Sequence, residues 1–172
     1  MTAPDALPLL FLDVDGPLIP FGPRADGHRT YPQVPLSPGV GTHPLLARID
    51  PALGPLLAAL PCELVWATTW ADEANTVVSP RLGLPELDVV AWPESPEQEE
   101  RDVRAGLHWK TRTLVDRAAG RPFVWVDDEI TATDRRWVAA RHIGPALLHR
   151  VDPAAGLTGA GLQQIGAWLR AV

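Results

Sequence analysis

The chain has 172 residues, a formal net charge of −6, 46% apolar and 21% charged residues, and one cysteine, Cys62. That length suits a single domain over residues 1–172 with one core of ordinary size. A lone cysteine excludes a disulfide framework and points to a reducing, cytoplasmic setting. The acid excess argues against broad electrostatic wrapping of nucleic acid, though not against a pocket for one phosphate.

The first element expected is a short, wholly apolar strand, Leu9 to Leu12, buried on both faces and ending at Asp13. It is too short for a membrane span, and no basic segment precedes it, so it reads as a strand and not a secretory leader. From Pro17 to Pro44 the chain is dense in Pro and Gly without an apolar period. This segment reads as a long functional loop or flap carrying Arg24, His28, Arg29, Tyr31 and His43. A helix is expected next, with Asp50 as N-cap, Pro51 at its first position, and Leu53, Leu56, Leu57 and Leu60 on one face. Pro55 sits awkwardly in it.

A second strand, Glu63 to Ala67, runs into Thr68 and Thr69, with Asp72 capping a helix to about Ser79. A third strand spans Asp88 to Ala91, and the acidic, proline-bearing stretch Pro93 to Asp102 reads as a solvated loop. A helix from Leu107 to Ala119, stopped by Gly120 and Pro122, precedes a fourth strand, Phe123 to Val126, that ends in Asp127-Asp128. A helix over Asp134 to Arg141, a fifth strand over Ala146 to His149, and an amphipathic helix from Thr158 to Arg170 complete the series. Such alternation predicts an α/β, Rossmann-like three-layer fold with a five-stranded, mainly parallel sheet. Ligands in such sheets bind beyond the carboxyl ends of the strands, where most of the polar residues considered next fall.

Asp13 and Asp15 point to one side if the strand geometry continues, and two ionised carboxylates so close call for a counter-charge. Gly16 lets the backbone turn sharply after them. Asp127 and Asp128 end another buried strand, which brings up to four acids to one sheet edge. Hard oxygen donors of this kind suit Mg²⁺. Asp128 or Asp134 can equally cap the following helix. Lys110, with Leu107 and Leu114 on the inward face of its expected helix, is costly unless its ammonium meets acids or a phosphate. Thr68 or Thr69 can offer a hydroxyl to a phosphate oxygen at a strand–helix junction, or simply form an ST-turn. Thr68 is preferred because it follows the apolar run directly. The seven tryptophans read mostly as core, Trp66 and Trp125 above all.

Taken in chain order, FLDVDGPL (11–18), LVWATTW (64–70), HWKTRTL (108–114) and FVWVDDEI (123–130) resemble the four motifs of the haloacid dehalogenase (HAD) superfamily. With ATTWADEAN, RPFVWVDDE and ALLHRVDPAAGLT, the texture is similar to HAD domains of Swiss-Army-knife RNA repair proteins and stand-alone actinobacterial relatives. The resemblance covers nearly the whole chain. One departure is Pro17, where many HAD phosphatases have Thr.

The resemblance implies an aspartyl-phosphate mechanism. Asp13 is the nucleophile and Asp15 the general acid and base. Thr68 and Lys110 steady the phosphoryl oxygens, and Mg²⁺ is held by Asp13, Asp15 through its backbone carbonyl, and Asp127, with Asp128 as a further candidate. Gaps between the motifs are too short for a cap domain of typical size. An open site, shaped by the flap, with Thr69, Arg24, His28 and Arg29 as candidate substrate contacts, is therefore expected. The expected partner is a phosphorylated substrate, with no membrane and no obligate protein partner. A nucleotide or nucleic-acid-end phosphatase of RNA repair is a narrower reading, and a catalytically quiet metal- or partner-binding module is the rival from another class.

Overall fold

The structure is a computed structural model that describes residues 6–33, 38–39 and 43–172. Five strands form one sheet: β1 (Leu9–Leu12), β2 (Glu63–Trp66), β3 (Asp88–Val89), β4 (Phe123–Asp127) and β5 (Ala146–Arg150). Their order is β3-β2-β1-β4-β5 and every pairing is parallel. The expectation of a mainly parallel sheet thus resolves into a wholly parallel one.

Side chains alternate across the sheet, as pleating requires. Leu10, Leu12, Trp66, Val124 and Val126 face one core, packed with Leu53 and Leu57 of α1 (Leu53–Ala58), Leu82 of α3 (Ser79–Leu82), and Leu162, Ile165 and Leu169 of α7 (Gly159–Leu169). Leu9, Phe11, Val65, Phe123 and Trp125 face the other core, with Leu114 and Ala118 of α5 (Thr111–Ala118) and Val138 of α6 (Ala132–Arg141). Two faces, each covered by helices, make the three layers. They also explain why β1 and β4 are apolar at every position up to their last residues. Each large side chain buried in these cores contributes about 1.5–3 kcal/mol.

Several boundaries differ from those expected. The stretch Pro93 to Asp102, expected to be a loop, holds most of a helix, α4 (Pro96–Ala105), which ends in left-handed Gly106. The helix expected from Leu107 begins at Thr111, which leaves Lys110 at its N-cap position and not inside it. Asp50 does not cap α1. Its carboxylate accepts the Ala52 N–H at 2.9 Å, one turn before a helix whose N-cap is Ala52. Pro55 then falls in the first turn, where its missing N–H costs nothing, and Leu56 is exposed. Asp72 precedes α2 (Glu73–Val77) without a side-chain cap bond. The third strand is cut to two residues.

Residues 34–37 and 40–42 of the expected flap lie outside the described residues. The described part from Pro20 to Gln33 has no regular structure and is tied down at several points. Phe21 N donates to Pro153 O at 2.8 Å, Arg24 Nη1 to Ala154 O at 3.3 Å, and Tyr31 N to Ala47 O at 2.7 Å. A 3₁₀ turn, Pro44–Arg48, returns the chain to the core through Leu46. No helix among the described residues is long and apolar enough to cross a membrane.

Candidate active site

The strand order reverses direction between β1 and β4: β2 and β3 lie to one side, β5 to the other. This is the switch point at which open α/β sheets leave a crevice beyond their carboxyl ends. Asp13 follows β1 there, and Asp127 ends β4 beside it, with Asp128 just after.

Alternation decides which helix meets these acids. Asp13 continues the face of Leu9 and Phe11, and Asp127 that of Phe123 and Trp125, so both look toward the start of α5. Lys110 waits there, 3% exposed, with its Nζ 3.0 Å from Asp13 Oδ2 and 2.7 Å from Asp127 Oδ2. Asp127 is fully buried, and both its oxygens are taken. Oδ2 accepts from Lys110 and, at 3.3 Å, from Trp125 Nε1, while Oδ1 accepts the Glu129 N–H at 3.0 Å. Asp127 thus meets the Lys110 ammonium from within the core.

Asp128 instead lines a cavity of about 180 Å³ together with Asp13, Asp15, Thr69 and Lys110. It lies over the Gly16 turn so closely that a Cβ at Gly16 would come within 2.5 Å of Asp128 Oδ1. Gly16 also has φ +93°, so only glycine satisfies both the turn and the approach. Asp15 is exposed at the same cavity and accepts the Trp70 indole N–H at 3.0 Å. Pro17 keeps the loop in place through its carbonyl, which accepts the Leu157 N–H at 2.7 Å.

The electrostatics follow from crowding. Burial first, and then Asp127, pushes Asp13 up to about 7 against the pull of Lys110. Burial and Asp127 likewise raise Asp128. Lys110 is raised, because Asp13 and Asp127 outweigh the burial that would lower it. Asp13, Asp127 and Asp128 each offer an oxygen within 4.8 Å of the others. Burial, reinforced by the neighbouring acid, disfavours the charged forms of Asp13 and Asp128, and a hard divalent cation would relieve that, so the donor set fits Mg²⁺. A second group, His108, Asp127 and Glu129, has a different use. His108 Nδ1 accepts the Lys110 N–H at 3.2 Å, so Nε2 carries the proton and donates to Glu129 Oε2 at 3.1 Å.

The other expected site residues are distributed as follows. Thr68, preferred over Thr69 on sequence, is fully buried. Its hydroxyl accepts the Trp70 N–H at 3.2 Å in an ST-turn, and Thr69 is the threonine at the cavity wall. Arg24, His28 and Arg29 do not line the cavity: Arg24 reaches Ala154, His28 Nε2 is 2.8 Å from Gly22 O, and Arg29 lies over the Tyr31 ring. Among the described residues of the flap it is Phe21 that reaches the cavity, and Trp109 forms another wall. Sequence reasoning missed both. The available signal was the position of Trp109 directly beside Lys110.

A parallel three-layer sheet with four acids, a buried lysine and a threonine at its switch point defines a HAD-type protein. The family model for the HAD domain in Swiss Army Knife RNA repair proteins matches residues 9–161, and the chain belongs to that family. No curated protein and no solved structure matches it. HAD proteins are in general hydrolases or phosphatases and typically use Mg²⁺.

Proposed function

We propose that the chain is a Mg²⁺-dependent phosphomonoesterase that works through an aspartyl-phosphate on Asp13. The observation that carries this reading is the Lys110 ammonium, buried, 3.0 Å from a cavity-facing aspartate and anchored from behind by Asp127. Asp13 attacks phosphorus, the ester P–O bond breaks, and the leaving oxygen takes a proton from Asp15. Asp15 then removes a proton from water, which attacks the phosphorus of the aspartyl-phosphate and frees both Asp13 and inorganic phosphate. Lys110 and Thr69 face the transferring oxygens and stabilise the charge that builds on them. Asp13 and Asp128, with the Asp15 carbonyl, would hold Mg²⁺, which supplies charge neutralisation when bound. Asp127, committed to Lys110, takes the positioning role.

The finer reading, a nucleotide or nucleic-acid-end phosphatase, is supported by the family's name and by an open cavity walled by Phe21 and Trp109. Purified protein is expected to hydrolyse p-nitrophenyl phosphate with Mg²⁺ and to stop in EDTA. Absence of turnover, together with no rise in melting temperature on adding Mg²⁺ and beryllium fluoride, would instead favour a non-catalytic module.

A further inference from the structure

Beside the catalytic cavity lies a second one, of about 190 Å³, and Trp109 is a wall of both. Its other aromatic wall is Trp92, whose ring is edge-on to Trp109 with centroids 4.8 Å apart. Trp92 is fixed by its indole N–H, which donates to Thr68 O at 3.1 Å. Trp109 is 39% exposed, an unusual state for a tryptophan that could pack inward like Trp66 or Trp125. The rim is acidic. Asp102 is occupied by Arg112 at 2.7 Å and Gln98 at 2.9 Å, while Glu99 and Asp116 are in no ion pair among the described residues.

Trp109 is met edge-on by Trp92 and stacked by His108. Its remaining exposed indole surface selects a ring with a π-face, while the Glu99 and Asp116 carboxylates select ring N–H and amino donors and repel phosphates. The cavity is smaller than the ~300 Å³ at which sites for whole drug-sized ligands begin, which limits its occupant to one ring system. Lys110 Nζ lies 5.5 Å from the centroid of the Trp109 ring, so a phosphoryl group at Lys110 and a ring against Trp109 belong to adjoining cavities that share one wall. We infer that the Trp92–Trp109 cleft is a nucleobase subsite, which makes the substrate of the neighbouring cavity a phosphomonoester of a nucleoside. The base stacks on Trp109 and turns its donor edge to Asp116 and Glu99. The inference rests on the phosphomonoesterase reading for its substrate, but the cleft itself can be tested without it.

The test compares kcat/KM for guanosine 5′- and 3′-monophosphate, whose base carries a ring N–H and an amino donor on one edge, a 5′- or 3′-phosphorylated oligonucleotide and ribose 5-phosphate in the Mg²⁺-loaded full chain. Base stacking of ordinary strength predicts a preference of about tenfold or more for the base-bearing substrates over ribose 5-phosphate. That ratio is expected to fall toward one in Trp109→Ala and to shrink in Asp116→Asn, a substitution at an exposed position. The oligonucleotide arm separates a free nucleotide from a nucleic-acid end. A ratio near one in the wild type, or one that neither variant moves, overturns the subsite. If no phosphoester is turned over, guanosine titrated in EDTA decides. Quenching of tryptophan fluorescence that is lost in Trp109→Ala upholds the cleft while the catalytic reading fails, and absence of quenching overturns the cleft.

Discussion

Lys110 is where the site's energetics concentrate. Its ammonium is almost fully buried and compensated by two carboxylates at 3.0 and 2.7 Å. Lys110→Met would leave Asp13 and Asp127 facing each other without a counter-charge. We expect kcat to fall by about 10²–10³, the usual cost of losing one preorganised charge-stabilising donor. Circular dichroism should show the fold retained, and steady-state kinetics would check the rate.

Asp13 makes a prediction of opposite sign for stability. Its folded value near 7 lies above the unfolded 3.8, so the folded state favours the protonated acid. The folded protein then binds more protons than the unfolded chain between those values, and metal-free stability is lost as pH rises through that window. Asp13→Asn removes this slope. Thermal unfolding in EDTA should show the variant gaining on the wild type between pH 5 and 7, and a wild-type advantage that grows with pH would refute the account. Gly16 is the third residue of note. Gly16→Ala places a methyl against Asp128 at a left-handed φ, and should cost about 1–3 kcal/mol and weaken Mg²⁺ binding, as read by calorimetry.

At the scale of elements, the link between α6 and the lysine loop matters most. Thr131 and Asp134 form a reciprocal capping box at the start of α6. The same Asp134 carboxylate accepts the His108 N–H at 2.8 Å and the Thr111 hydroxyl at 2.7 Å. Burial would raise this acid, but its hydrogen bonds outweigh burial and leave it lowered. One carboxylate thus caps a helix and pins both flanks of Lys110. Asp134→Ala should destabilise by about 2–4 kcal/mol, since several donors lose a charged acceptor, and should lower kcat without contact to substrate. Urea unfolding and kinetics on the same sample would check both.

The sequence was readable wherever an apolar period or a strand-end acid marked an element, as at Leu9–Leu12 and Phe123–Asp127. It was not readable at α4, whose one aliphatic position of size, Val103, is 76% exposed, so no buried stripe betrays the helix. Between Thr68 and Thr69 the strand end alone does not choose. Adjacency to an apolar run locates the strand end, while the local turn, in which the Thr68 hydroxyl accepts the Trp70 N–H, leaves Thr69 at the cavity wall.

For the whole molecule, topology does most of the positioning. The order β3-β2-β1-β4-β5 sets β1 and β4 side by side, so two acidic motifs more than a hundred residues apart in sequence meet at the switch point. The strand-end acids made that meeting legible before the structure. The aromatic walls were not legible, because they come from segments that no strand pattern locates: Phe21 from the flap, Trp92 after β3, and Trp109 before α5.

The central claim is that Asp13 carries the phosphoryl group, and the most direct measurement is to trap it. Protein turning over a ³²P-labelled phosphomonoester with Mg²⁺ would be quenched in acid, digested and mapped. The account predicts hydroxylamine-labile label on the peptide that contains Asp13, and none in Asp13→Asn or in EDTA. Turnover that survives Asp13→Asn, with no label on that peptide in the wild type, would contradict it.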